Sequence, residues 1–89
     1  MRKIHIRVKL YATLRKYLPN TELGEEVPIE VPARATIEDV IDQLGIDLEE
    51  AKIILVNGIR KTLNDSLEEN DLLVIFPPVG GGTRPKVET

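Results

Sequence analysis

Leu72-Leu73-Val74-Ile75-Phe76-Pro77-Pro78-Val79-Gly80-Gly81-Gly82 decides how the rest of the chain is read. Its first five residues are bulky and apolar, which suits a strand buried in the middle of a sheet. Pro77 and Pro78 have no amide hydrogen to donate and fix φ, so strand pairing must stop there. Gly80, Gly81 and Gly82 then make a thread without side chains, able to enter a channel too narrow for other residues. A rigid body is holding out a thin tail.

Working back from this stretch, residues 64–71 read as a polar turn anchored by Leu67. Before it, residues 52–56 form a strand, Asn57-Gly58 is a strong two-residue hairpin signal, and residues 59–63 return as a short strand. Further upstream, Thr36-Ile37-Glu38-Asp39 starts a helix, with Thr36 as cap and Asp39 completing a capping box. Ile37, Val40, Ile41 and Leu44 form one apolar stripe, and Gly45 closes the helix in the left-handed conformation. Ile46 and Leu48 are expected to hold the next loop down, with Asp47, Glu49 and Glu50 in water. Val27, Ile29 and Val31 alternate as a strand whose other face carries Pro28 and Pro32, which marks a sheet edge. At the front, Ile4, Ile6 and Val8 alternate with Lys3, His5, Arg7 and Lys9 as a half-buried strand. Leu10, Leu14 and Leu18 recur every four residues beside Tyr11 and Tyr17, predicting a short helix over the core that ends at Pro19-Asn20.

This order predicts an α+β fold: a mixed sheet of four to five strands, one main helix and a short extra helix. An early strand pair followed by a helical crossover points to the β-grasp arrangement, with first and last strands side by side and parallel. Residues 1–82 are expected to form one domain with its Gly-rich tail. Residues 83–89, polar and containing Pro85, are expected to be a disordered extension.

At 89 residues there is room for one modest core, and 42% hydrophobic with 30% charged residues is ordinary for a globular protein. The absence of Cys excludes disulfides, thiolate metal sites and Cys nucleophiles, and a single His predicts no metal centre. A net charge of −3 argues against nucleic acid as the main partner. No apolar block suits a signal peptide or a membrane span, so a cytoplasmic location is expected.

A single covering helix leaves one sheet face open. If Leu73 and Ile75 meet the helix, then Leu72, Val74 and Phe76 emerge on the open face beside His5, Arg7 and Lys9, as an apolar docking patch with a basic margin. By themselves Lys3, Arg7 and Lys9 read as a solvated face, His5 as a surface residue, and Glu68, Glu69 and Asp71 as a solubilising turn. Paired carboxylates such as Glu25-Glu26 are adjacent in sequence, so their side chains diverge and offer no acid–base pair. Gly80-Gly81-Gly82 lacks the Lys-Ser/Thr and following helix of a phosphate loop. No independent enzyme is indicated.

Val56-Asn57-Gly58, the turn from Leu67 to Asp71, the ending Phe76-Pro77-Pro78-Val79-Gly80-Gly81-Gly82 and the opening strand running into Leu10-Tyr11-Ala12-Thr13-Leu14-Arg15 together resemble the MoaD branch of the MoaD/ThiS sulfur carriers. The resemblance covers residues from about 3 to 82, nearly the whole chain. It implies that the protein is a covalent substrate with no cofactor of its own. A MoeB-like enzyme using ATP would adenylate the carboxylate of Gly82, which would become a thiocarboxylate. A MoaE-like large subunit would take the sulfur for the dithiolene of molybdopterin. Gly80 and Gly81 would be the thread; Leu72, Val74, Phe76, Pro77, Pro78 and Val79, with Tyr11, Ile59 and Arg60, would contact partners. Carriers of this kind end at the second glycine, whereas residues 83–89 follow here, so a processing protease must first release the Gly82 acid. The alternatives are a ubiquitin-like modifier that forms isopeptides with lysines, and a non-covalent binding subunit that keeps its tail.

Overall fold

The computed structural model describes residues 2–18 and 24–78. Five strands form one sheet: β1 (Lys3–Leu10), β2 (Val27–Pro32), β3 (Ile53–Val56), β4 (Ile59–Arg60) and β5 (Leu72–Phe76), in the order β2-β1-β5-β3-β4. The last strand in sequence is therefore the central one. It runs parallel to β1, with Val8 beside Leu73 and Leu10 beside Ile75, and antiparallel to β3, with Ile54 opposite Ile75 and Val56 opposite Leu73. β2 pairs with β1 alone, so Pro28 and Pro32 lie on an edge strand, where a missing donor costs no ladder bond. This is the ubiquitin-like β-grasp arrangement expected from the sequence.

The helix α1 (Ile37–Leu44) crosses one face. Its start is a reciprocal capping box: the Asp39 amide donates to Thr36 Oγ1 (3.1 Å) and the Thr36 amide donates to Asp39 Oδ2 (3.0 Å). Gly45, at φ +77°, ends it, and its amide donates to the carbonyl of Asp42. Ile37, Val40 and Ile41 pack onto Ile4, Ile6, Val8, Leu73, Ile75 and Ile54, all buried, and Leu67 closes the core beneath the 64–71 loop. Among the described residues no polar or charged side chain is buried. None of their helices is long and apolar enough to cross a membrane.

Four expectations are corrected. The segment after β1 is a 3₁₀ helix, Ala12–Tyr17, and Leu10 belongs to the strand. The four-residue leucine repeat thus straddles two elements, with Leu10 held beside Ile75 and only Leu14 of the helix fully buried. The return strand stops at Arg60 instead of continuing to Leu63. After the Lys61 amide bonds the Ile54 carbonyl, the Asp65 carboxylate draws the chain into a turn by accepting the Thr62 amide (2.8 Å) and hydroxyl (3.2 Å). Leu48 does not hold its loop down: it is 47% exposed at the start of a 3₁₀ turn, Leu48–Glu50, while Ile46 alone is buried. Glu50, expected in water, is half-buried because it accepts the Tyr17 hydroxyl (2.7 Å).

Candidate docking face and tail root

Alternation divides β5 as expected. Leu73 and Ile75 are fully buried beneath α1, and Leu72, Val74 and Phe76 point to the other face, half-buried. Strand register assigns their neighbours. Arg7 stands beside Leu72 and Lys9 beside Val74; on the other side Leu55 is opposite Val74 and Ile53 opposite Phe76. Arg60 lies one strand further out, opposite Leu55. The apolar patch is therefore wider than the sequence reading made it, because Ile53 and Leu55, both half-buried, belong to it. Their alternation with the buried Ile54 and Val56 is the signal that marks them, once β3 is paired with β5.

Tyr11 follows β1 directly and covers one end of the patch, its ring edge-on to Phe76 with centroids 4.7 Å apart and planes at 89°. Lys9 Nζ sits 5.4 Å from the centre of the Tyr11 ring, and hydrogen bonding with Tyr11 holds the Lys9 ammonium above its ordinary pKa. Ile59 stands apart from this group. It is opposite Val56, a core-face residue, so it emerges on the helix side at the β4 edge, 61% exposed.

Charge on the open face is uneven. Arg7 donates to Glu26 Oε1 (2.9 Å) and to the Asn70 carbonyl (3.2 Å). His5 lies between Glu30 (3.6 Å) and Glu69 (3.5 Å), and its amide donates to Glu69 (2.9 Å). The 68–71 turn does more than solubilise. Asp71 accepts the Glu68 amide (2.8 Å) and the Asn57 side-chain amide (2.9 Å), while Asn57 Oδ1 accepts the Leu72 amide (3.0 Å). The hairpin turn, the acidic turn and the first residue of β5 are thereby tied together.

The root of the tail is fixed on both sides. The Tyr11 amide donates to the Ile75 carbonyl (3.3 Å) and the Lys52 amide to the Phe76 carbonyl (3.0 Å), so β5 is held to its last residue. Pro77 is half-buried and Pro78 exposed. Val79, Gly80, Gly81 and Gly82, with residues 83–89, lie outside the described residues. The patch and the exit toward the glycines thus share one strand.

The chain is similar in shape to several solved structures. Small archaeal modifier protein 1 of Haloferax volcanii matches with a TM-score of 0.68 and 26% identity, over 85% of this chain and 99% of that one. The Haloferax volcanii protein HVO 2177 in solution matches with a TM-score of 0.71 and 22% identity, over 90% and 88%. A putative molybdopterin converting factor, subunit 1, from Pyrococcus furiosus matches with a TM-score of 0.66 and 24% identity, over 85% and 99%. No curated protein matches the sequence. The family model described as Mut7-C ubiquitin matches residues 3–80, which span every strand, the helix and the exit from β5. With the sheet order and parallel first and last strands above, that match makes this chain a member of the Mut7-C ubiquitin family.

Proposed function

We propose that this protein is a MoaD-like sulfur carrier, activated at Gly82 once residues 83–89 have been removed. A protease hydrolyses the Gly82–Thr83 peptide bond and leaves a carboxylate. A MoeB-like enzyme joins that carboxylate to the AMP part of ATP and releases pyrophosphate. A hydrosulfide equivalent from a sulfur donor then attacks the carbonyl; the acyl–phosphate bond breaks, AMP departs with the electron pair, and a thiocarboxylate remains. On a MoaE-like subunit the thiocarboxylate sulfur takes the place of an oxygen substituent on the pterin precursor, and water then cleaves the acyl carbon–sulfur bond, which leaves the sulfur for the molybdopterin dithiolene and returns the Gly82 carboxylate. The carrier's own part is positional: unhindered glycines present the carbonyl, and β5 fixes where they start. The cytoplasm, where ATP is available, is the expected setting.

The observation that carries this reading is that the central strand both supplies the apolar open face and leads through Phe76-Pro77-Pro78 toward the glycine run. The β-grasp shape shared with the Pyrococcus furiosus converting-factor subunit supports it. The test compares the 89-residue chain with one ended at Gly82, each incubated with ATP, a sulfide source and the cognate adenylating enzyme. The shortened chain is expected to exchange one oxygen for sulfur by mass spectrometry, and the longer chain to remain unchanged. Failure of the shortened chain to react overturns the carrier reading.

A second reading has an observation in its favour: the 26% identity with small archaeal modifier protein 1 over most of both chains. As a modifier, the same activated Gly82 would transfer to a lysine amine with loss of AMP. A ladder of conjugates on a blot of the tagged protein in its own cells, absent for a Gly82-deleted form, identifies that outcome.

A further inference from the structure

The basic side chains of the open face fall into two groups. Within the chain Arg7 is paired with Glu26, and His5 lies between Glu30 and Glu69. Lys9 and Arg60 make no ion pair among the described residues. Lys9 rests on the Tyr11 ring, and Glu26, which acts on it at longer range, is already bonded to Arg7. Lys9 and Arg60 belong to one cross-strand row, Lys9–Val74–Leu55–Arg60, running over β1, β5, β3 and β4. Two apolar residues occupy the middle, and a cation without an ion pair among the described residues stands at each end. Three strand spacings separate the ends, about 14 Å at about 4.8 Å each. Phe76 and Ile53 form the next row, toward the tail.

We infer that the partner that receives the tail carries an apolar contact for Val74 and Leu55 flanked by two carboxylates, one for Lys9 and one for Arg60. This rests on the carrier reading above, and the partner it describes is the adenylating enzyme. The apolar middle supplies contact area, and the paired ends fix the lateral register. Lys3 is the internal comparison. It too makes no ion pair among the described residues, but it lies on this face opposite Pro32, beyond the end of the apolar strip.

The experiment uses the chain ended at Gly82, which keeps every described residue, and the cognate adenylating enzyme, with ATP–pyrophosphate exchange as the readout. Lys9→Glu with Arg60→Glu is expected to raise the half-saturating carrier concentration about tenfold or more, leaving the maximal exchange rate within about twofold. Lys3→Glu is expected to leave both unchanged, and Lys9→Arg with Arg60→Lys to retain most of the affinity. Added salt should weaken the unsubstituted chain and leave the doubly reversed one nearly indifferent. Circular dichroism on each variant confirms the fold. Equal half-saturation for the reversed and unsubstituted chains overturns the inference and leaves the carrier reading standing, as does an equal effect from Lys3→Glu. No exchange with the unsubstituted chain overturns both.

Discussion

Tyr11 and Phe76 make the contact that joins the segment after β1 to the tail root, and its strength can be isolated. Leucine at either position keeps apolar bulk and removes the ring. Phe76 is half-buried, so Phe76→Leu forfeits part of its burial together with the edge-to-face contact at 4.7 Å and 89°. An aromatic pair of this geometry is worth about 0.5–1.5 kcal/mol beyond its area. Tyr11→Leu loses that term and also the support of Lys9. The Lys9 contribution is lost on both arms of a double-mutant cycle and cancels, which leaves the ring pair alone. Urea unfolding of the four proteins, with unchanged dependence on denaturant, should therefore give a coupling of about 1 kcal/mol. Additivity within about 0.3 kcal/mol would refute the claim that these rings hold the root of the tail.

Other perturbations test other parts of the fold. Leu73→Ala removes a fully buried side chain from the central strand and should cost about 3–5 kcal/mol in urea unfolding, a large share of a small domain's stability. Thr36→Ala breaks the capping box and should cost about 1 kcal/mol, with faster amide exchange in the first turn of α1. Asp65 is held below its ordinary 3.8 chiefly by the Thr62 amide. A depressed carboxylate stabilises the fold above its unfolded pKa, and that support is lost as pH falls through the folded value. Acid unfolding curves of the natural chain and Asp65→Asn should accordingly converge as pH drops below 3.8; a constant gap would contradict the assignment.

Local signals carried most of the fold. Thr36 and Asp39 name each other three residues apart, Gly45 meets its positive φ, and Asn57-Gly58 turns at φ +53° and +84° as a primed hairpin requires. Each is decided within a few residues, so one sequence suffices. The errors arose where a distant residue decides. Leu10 fits a helical repeat until Ile75, 65 positions later, claims it for a ladder. Residues 59–63 read as one strand until Asp65 folds back on Thr62. The open apolar face was legible in β5, where alternation around Leu73 and Ile75 requires Leu72, Val74 and Phe76 to share a side. Ile53 and Leu55 needed the register with β5 before their side could be assigned. The distribution of charge was least legible: Glu69 reaches His5 across 64 residues, and no run of sequence shows which cations are left over.

The parallel neighbours β1 and β5 also determine how the molecule bears a load. Tension applied between the front of β1 and the far end of β5 acts along both strands and shears their whole ladder at once, instead of opening it one bond at a time. The same force transfers to β3 through the opposite edge of β5. A machine hauling on the glycine end would therefore meet the stiffest direction of the sheet, and extraction would wait on the rate of whole-molecule unfolding.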